Sequence, residues 1–230
     1  MIPKVEVLET AAAVAEAAAD FIAAEARSSI DARGAFSFAV SGGRTPWLML
    51  RALASRELPW AGVHLWQVDE RVAPDGDADR NLTQLRESLL STVPLAPAHV
   101  HAMPVTTPDM GAAVREYSAS LTAVAGDPPV LDLVHLGLGS DGHTASLVPG
   151  DPALEVTDAD VALAGPYQGR RRMTLTFPVI NRARRVLWVV TGADKSVMLR
   201  RLLDADRGIP AGRVCQDRAL VLADRLAAGE

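Results

Sequence analysis

Leu131-Asp132-Leu133-Val134-His135-Leu136-Gly137-Leu138-Gly139-Ser140-Asp141-Gly142-His143-Thr144-Ala145-Ser146 is the stretch around which the chain is organised. Leu131 to Leu138 is apolar enough to be a strand buried inside a sheet. It breaks at glycines, and an acid and a histidine follow, separated by one residue. Open α/β folds bind ligands where such strands end, at the carboxyl edge of the sheet. Taken alone, Asp-x-His reads more simply as a helix-entry loop, with Asp141 a cap and His143 a surface residue. Whether other strands end in the same way decides between the two.

Composition sets the bounds. The 230 residues carry 49% hydrophobic side chains but only 4% aromatic ones. Abundant alanine suits helices packed closely on a sheet. No linker-like run interrupts the chain, so one domain over 1–230 is expected. A net charge of −5 argues against a broad nucleic-acid footprint, so any anion site must be built locally. Cys215 is the single cysteine, which fits a reducing compartment. Met1-Ile2-Pro3-Lys4-Val5-Glu6 lacks the basic and apolar regions of a secretory leader, and no run of about 18 apolar residues suggests a membrane span. A cytoplasmic location, with no membrane and no nucleic-acid partner, is the expectation.

Thr10 is a plausible cap for a helix whose Val14, Ala18, Phe21, Ile22 and Ala26 share one face, and Gly34 ends it. Phe36 to Val40 reads as a short buried strand. It runs into Ser41-Gly42-Gly43-Arg44-Thr45-Pro46, where Thr45 is the expected cap and Pro46 the first helical residue. Strand, glycine turn and helix start together read either as an anion cradle, because free N–H groups at a helix start attract negative charge, or as an ordinary turn with a capped helix. The Gly-Lys-Ser/Thr ending of a P-loop is missing. Val63 to Val68 predicts a second strand, ending in Asp69-Glu70-Arg71, read as a solvated strand end or a second wall of a site. The acids of 73–79 do not follow the calcium-loop pattern. His99 and His101 alternate on a predicted strand, without a third metal ligand at recognisable spacing. Pro108 is the expected start of a helix. Val161 to Ala164, Met173 to Phe177, Val186 to Val190 and Ala219 to Ala223 read as further strands. Arg170-Arg171-Arg172 reads by default as a solvated charge run. Gly192-Ala193-Asp194-Lys195 opens a helix with a lysine in its first turn, which makes sense beside an anion.

Strands and helices alternate, which predicts a three-layer α/β/α architecture on a mainly parallel, Rossmann-like sheet. Four strand ends then carry polar groups to one edge: Ser41 to Thr45, Asp69 to Arg71, Gly139 to His143, and Gly192 to Lys195. That recurrence favours a small anionic substrate, with Asp69, Asp141 and His143 near its reacting end. Gly137 to Gly142 also matches G-x-G-x-x-G, but its acid lies inside the turn and prolines follow soon, so a dinucleotide site gains little weight.

Several motifs resemble those of the 6-phosphogluconolactonases. They are Ser-Gly-Gly-Arg-Thr-Pro at 41–46, Asp-Glu-Arg-Val at 69–72, Gly-Leu-Gly-Ser-Asp-Gly-His-Thr-Ala-Ser-Leu-Val-Pro-Gly at 137–150, Arg172 to Thr176, Ile180 to Ala183, and Thr191 to Lys195. The order is right and nearly the whole chain is covered. The serine-glycine-glycine loop is shared with the related glucosamine-6-phosphate deaminases. The resemblance implies the fold of those deaminases and of ribose-5-phosphate isomerase. It further implies a metal-free, cofactor-free hydrolase of the pentose phosphate pathway, acting on 6-phosphoglucono-1,5-lactone. His143 would be the general base, with Asp69 and Asp141 the acids around it. Ser41, Gly42, Gly43, Arg44, Thr45, Arg71, Gly139, Arg172 and Lys195 would hold substrate, chiefly its phosphate. Arg44 stands where serine is common, Val148 where phenylalanine is usual, and Arg80-Asn81 where Ser-Asn is usual.

The residues support that chemistry in their own right. A neutral imidazole can take a proton from water and return it to a leaving ring oxygen. Turn N–H groups or Arg71 could stabilise the oxyanion. A G-x-S-x-G elbow is missing, so water attack is preferred to an acyl-enzyme. The nearest rival is deamination or isomerisation of a sugar phosphate, but Ser146-Leu147-Val148-Pro149 lacks the glutamate of the deaminases' Phe-Asn-Glu-Pro stretch. A non-catalytic sugar-phosphate-binding regulator would be expected to lose the acid–base residues, which this chain keeps. Which carboxylate orients His143 stays open between Asp69 and Asp141.

Overall fold

The computed structural model describes residues 3–230. Seven strands form one parallel sheet: β1 (Lys4–Leu8), β2 (Phe36–Val40), β3 (Val63–Gln67), β5 (Val100–His101), β6 (Leu133–Leu136), β9 (Arg185–Val190) and β10 (Ala219–Asp224), in the order β1-β10-β9-β6-β2-β3-β5. From β2 the chain winds outward through β3 to β5. From β6 it winds the other way, through β9 to β10. The direction reverses between β2 and β6, and the loops leaving those two strands are 41–43 and 137–143. That topological switch point is where open sheets of this kind leave a crevice.

Side-chain alternation explains why the sheet is covered on both faces. Phe36, Phe38 and Val40 of β2 point to one core with Leu65, Leu133 and Leu187, while Ala39 of β2 joins Trp66, Val134 and Trp188 in the other. Helix α1 (Ala11–Arg33) covers the first face. Thr10 Oγ1 accepts from Ala13 N at 3.1 Å, and Gly34 ends the helix at φ 81° with its N–H on Ile30 O. The buried stripe Val14, Ala15, Ala18, Ala19, Ile22, Ala23 and Ala26 is mostly alanine, which lets the helix lie close to the strands. Helix α2 (Arg44–Ala54) and helix α3 (Asn81–Leu85, continued by one wider turn to Leu90) lie on the same side. Helix α4 (Met110–Ala125), α5 (Phe177–Arg182), α6 (Ser196–Leu203) and α7 (Arg225–Ala228) bury apolar residues in the second core.

The structure departs from the sequence expectations in several places. A second, antiparallel sheet β4-β8-β7 sits outside the parallel one, made of Asp69–Arg71, Arg170–Leu175 and Val161–Tyr167. Asp69 to Arg71 is therefore a strand rather than a solvated end. Asp69 is 4% exposed and Glu70 fully buried. Arg172, by default part of a solvated run and by the resemblance a substrate contact, is 4% exposed as well. β1 was not anticipated: its residues are largely exposed, so the apolar pattern of a buried strand is missing. Helix α2 begins two residues before Pro46. Gly43 takes the cap position, and the Thr45 hydroxyl pairs with that of Thr191 at 2.6 Å instead of capping. Helix α4 starts after Asp109, whose carboxylate accepts from Ala112 N, and not at Pro108. Only His101 lies in β5, with His99 in the short turn before it. Gly192 to Lys195 forms a separate tight turn ahead of α6. Among the described residues no helix is long and apolar enough to cross a membrane, and no group of three or more His, Cys, Asp or Glu could hold a metal ion.

Candidate active site

The turn after β6 closes on itself. Gly139 N donates to His143 O at 2.8 Å and Gly142 N donates to Gly139 O at 3.0 Å. Within it Asp141 Oδ1 accepts from His143 Nδ1 at 2.6 Å and from the His143 backbone N at 3.1 Å. A carboxylate only accepts, so Nδ1 is the donor, and in the neutral ring Nε2 is the nitrogen that holds the lone pair. Gly139 makes this closeness possible. A Cβ there would lie 2.0 Å from His143 Nδ1 and 2.6 Å from Asp141 Oδ1. Burial alone would raise the Asp141 carboxyl, but the His143 backbone N–H, the His143 ring and the Tyr167 hydroxyl outweigh it and hold Asp141 below the ordinary carboxylate value.

His143 lines a cleft of about 230 Å³ together with Ser41, Gly42, Gly43, Asp69, Arg71 and Arg172. Lys195 lines it too, and also a neighbouring hollow formed by Arg44, Thr45 and Gly192 at the start of α2. All the strand ends singled out from the sequence thus meet at one place. Their roles divide. Asp69 makes its bonds away from His143, accepting from Ser146 Oγ at 2.7 Å and Asn81 Nδ2 at 3.2 Å, with Arg172 Nη1 3.7 Å away. The carboxylate in contact with His143 is Asp141. Ser41 is 4% exposed, and its hydroxyl donates to His135 O at 3.0 Å, so that proton is already engaged inside the protein. Lys195 Nζ sits 3.0 Å from Asp194. Arg44 is exposed. Burial lowers the Arg172 pKa below the ordinary guanidinium value, and neighbouring Arg71 acts in the same direction against the pull of Asp69.

Four residues to which the sequence assigns no individual role shape the cleft. Glu70 accepts from Gln67 Nε2, Arg71 N, Asn81 N and Leu82 N at 2.8–3.0 Å, with Arg80 Nε at 3.0 Å. It caps the start of α3 and so fixes Asn81, which donates to Asp69 O at 2.9 Å. Gly42 passes so close to Asn81 that a Cβ there would lie 1.9 Å from Asn81 Oδ1. Ser146 ties the turn after β6 to β4 through Asp69. Tyr167, at the tip of the β7–β8 hairpin, donates to Asp141 Oδ2 at 3.1 Å. The only sequence sign of Tyr167 is Gln168-Gly169, a two-residue loop with φ of 53° and 77°, as a type I′ hairpin requires.

A polar cleft with an acid–histidine pair, cut into the switch point of an open parallel sheet, marks an α/β enzyme acting on a small anionic molecule. Residues 9–222 match the family model described as glucosamine-6-phosphate isomerases/6-phosphogluconolactonase, and the chain belongs to that family. It is 38% identical to the 6-phosphogluconolactonase of Synechocystis over 85% of this chain and 82% of that one. It is likewise 38% identical to the 6-phosphogluconolactonase of Mycobacterium tuberculosis, over 88% of each. The solved 6-phosphogluconolactonase of Trypanosoma brucei superposes with a TM-score of 0.88 at 27% identity, covering 99% of this chain and 98% of that one. A monomeric glucosamine-6-phosphate deaminase of 18% identity shares the fold, with a TM-score of 0.85.

Proposed function

We propose that this protein hydrolyses 6-phospho-D-glucono-1,5-lactone to 6-phospho-D-gluconate, with His143 as general base for water. The family and the named lactonase relatives support the reaction. The observation that carries the mechanism is the 2.6 Å contact between His143 Nδ1 and Asp141, beside a cleft lined by Arg71, Arg172 and Lys195. His143 Nε2 accepts a proton from water as its oxygen attacks the lactone carbonyl. Asp141 holds the tautomer and stabilises the imidazolium that forms. The carbonyl oxygen gains negative charge, opposite the Arg71 guanidinium or the free N–H groups of the glycine loops. Collapse of the tetrahedral species breaks the bond to the ring oxygen, which takes the proton back from His143. The products are a carboxylic acid, which loses its proton to solvent to become the carboxylate, and a free hydroxyl. The phosphate fits the start of α2, where Gly42, Gly43, Arg44 and Thr45 face Lys195 across the neighbouring hollow. Asp69 serves as a buried acceptor that braces Asn81, Ser146 and Arg172.

The test is lactone opening measured above the spontaneous rate. His143→Ala is expected to remove catalysis while the protein still binds 6-phosphogluconate. Native activity in that variant would overturn the mechanism. Ammonia release from glucosamine 6-phosphate, with no lactone opening, would overturn the reaction.

A further inference from the structure

Both contacts that the turn makes with Asp141 fall on one oxygen, Oδ1, which takes the His143 ring and the His143 backbone. The terminal torsion of an aspartate is broad, so a carboxylate held at one oxygen can still swing its plane. The Asp141 side chain is 38% exposed, and packing does little to stop that motion. The other oxygen is held from outside the turn, by the Tyr167 hydroxyl at 3.1 Å. The Tyr167 ring also stands edge-on to the His143 ring, with centroids 5.1 Å apart and planes at 63°.

Tyr167 is itself well placed. It pairs with Arg170 across the two-residue hairpin loop. The Arg172 guanidinium lies over its ring, 5.2 Å from the centroid. The hairpin tip is tied down beyond the cleft. Arg170 donates to Asp79 Oδ2 at 2.9 and 3.1 Å and to Asp77 Oδ2 at 3.2 Å, and Arg71 Nη1 donates to Asp79 O at 2.7 Å. The acidic loop 73–79, left without a role by its failure to match a calcium site, is the anchor of this hairpin.

We infer that Tyr167 is a positioning residue for the His143 chemistry: its hydroxyl locks the plane of Asp141, so that the opposite oxygen keeps His143 in the Nδ1–H tautomer with Nε2 turned to the water. The inference rests on the reading of His143 as the base. Burial, the Asp141 charge and the hydrogen bond to it raise the Tyr167 pKa, so the phenol stays protonated and remains a donor. Three side chains therefore act in series, from Tyr167 through Asp141 to His143. Only the last meets the reacting atoms.

Tyr167→Phe keeps the ring and removes the hydroxyl alone. Two readouts decide. The first is steady-state lactone hydrolysis by the native protein, Tyr167→Phe, Asp141→Asn and the double variant. The second is the 15N shift pair of His143, which reports the tautomer in the ligand-free protein and needs no activity. The expected result for Tyr167→Phe is a kcat lower by about tenfold, the worth of one hydrogen bond of this kind. KM should stay within about twofold. The Nδ1–H fraction of His143 should fall, and the double variant should be no slower than Asp141→Asn. A native tautomer ratio with native kcat in Tyr167→Phe would overturn the inference. So would a loss confined to KM and additive with Asp141→Asn, which would make Tyr167 a substrate contact. Should the native protein fail to open the lactone, the functional reading falls, and the tautomer measurement still decides whether Tyr167 acts through Asp141.

Discussion

Gly139→Ala isolates the geometry of the acid–histidine pair from its chemistry, because neither partner is altered. Gly139 does not occupy the left-handed region, so alanine meets no backbone penalty there. What it meets is the pair itself: the added carbon would sit 2.0 Å from His143 Nδ1 and 2.6 Å from Asp141 Oδ1, where ordinary contact begins at 3.4 Å. The imidazole must retreat by at least about 1 Å, and a displacement of that size is worth about 10²-fold in rate. That corresponds to about 2.7 kcal/mol of lost transition-state stabilisation. The loss should appear in kcat more than in KM, since the phosphate side of the cleft is untouched. Ring opening yields an ionised acid, so initial rates can be followed by proton release in weak buffer, with the spontaneous rate subtracted. Thermal unfolding of the same sample separates misplacement from misfolding, because Leu138 and Gly139 are buried and a failure to accommodate the carbon would lower the midpoint. A Gly139→Ala protein that folds and retains activity within about threefold of native would refute the reasoning.

Glu70→Ala should cost about 3–5 kcal/mol in urea unfolding, because it strands Arg80 in the core and leaves three backbone N–H groups without their acceptor. A loss below about 1 kcal/mol would show that water replaces the carboxylate. Acid should weaken the fold before the carboxylates titrate. Burial lowers the His135 pKa to about 3, and burial together with His64 and His99 lowers that of His101 to about 4. Both values lie below the 6.5 of an unfolded histidine, so stability is full above that pH and declines as pH falls toward 4. The slope is about 1.4 kcal/mol per pH unit for each fully excluded proton, with half-buried His101 giving less than His135. Urea midpoints that stay flat between pH 7 and 5 would contradict this. Lys195→Ala should raise KM about tenfold and leave kcat nearly unchanged, as expected for a cation that holds phosphate away from the reacting carbon. A fall in kcat alone would place Lys195 at the carbonyl instead.

The parallel sheet and its functional edge were legible because strand-turn-helix units repeat their signals locally. Phe36 to Val40 and Leu133 to Leu136 are buried on both faces and read as apolar runs. The glycines after them stand where the backbone must turn. What escaped depends on partners far apart in sequence. Glu70 looks like a surface charge until Arg80, Asn81 and Leu82 are folded around it. Arg172 looks solvated until Asp69 and Tyr167 lie beside it. The antiparallel sheet escaped because its three strands come from 69–71 and 161–175, and nothing in an alternating pattern names the direction of the partner. The choice between Asp69 and Asp141 could not be made from spacing, since both carboxylates line up at the same sheet edge. The self-closing turn made the choice, by bringing Asp141 Oδ1 to Nδ1.

That turn differs from the rest of the cleft in its loop-closure entropy. Asp141 and His143 are two residues apart, and their turn is closed by hydrogen bonds spanning four residues or fewer. The cationic side joins Arg71, Arg172 and Lys195 from across more than a hundred residues, and it exists only while both sheets hold register. The contact between Asp141 and His143 is thus encoded locally, whereas the cluster of cations is a collective property of the fold. Denaturant acting below the unfolding transition is expected to part the cations and free Asp141 from Tyr167 before it breaks the short contact between Asp141 and His143.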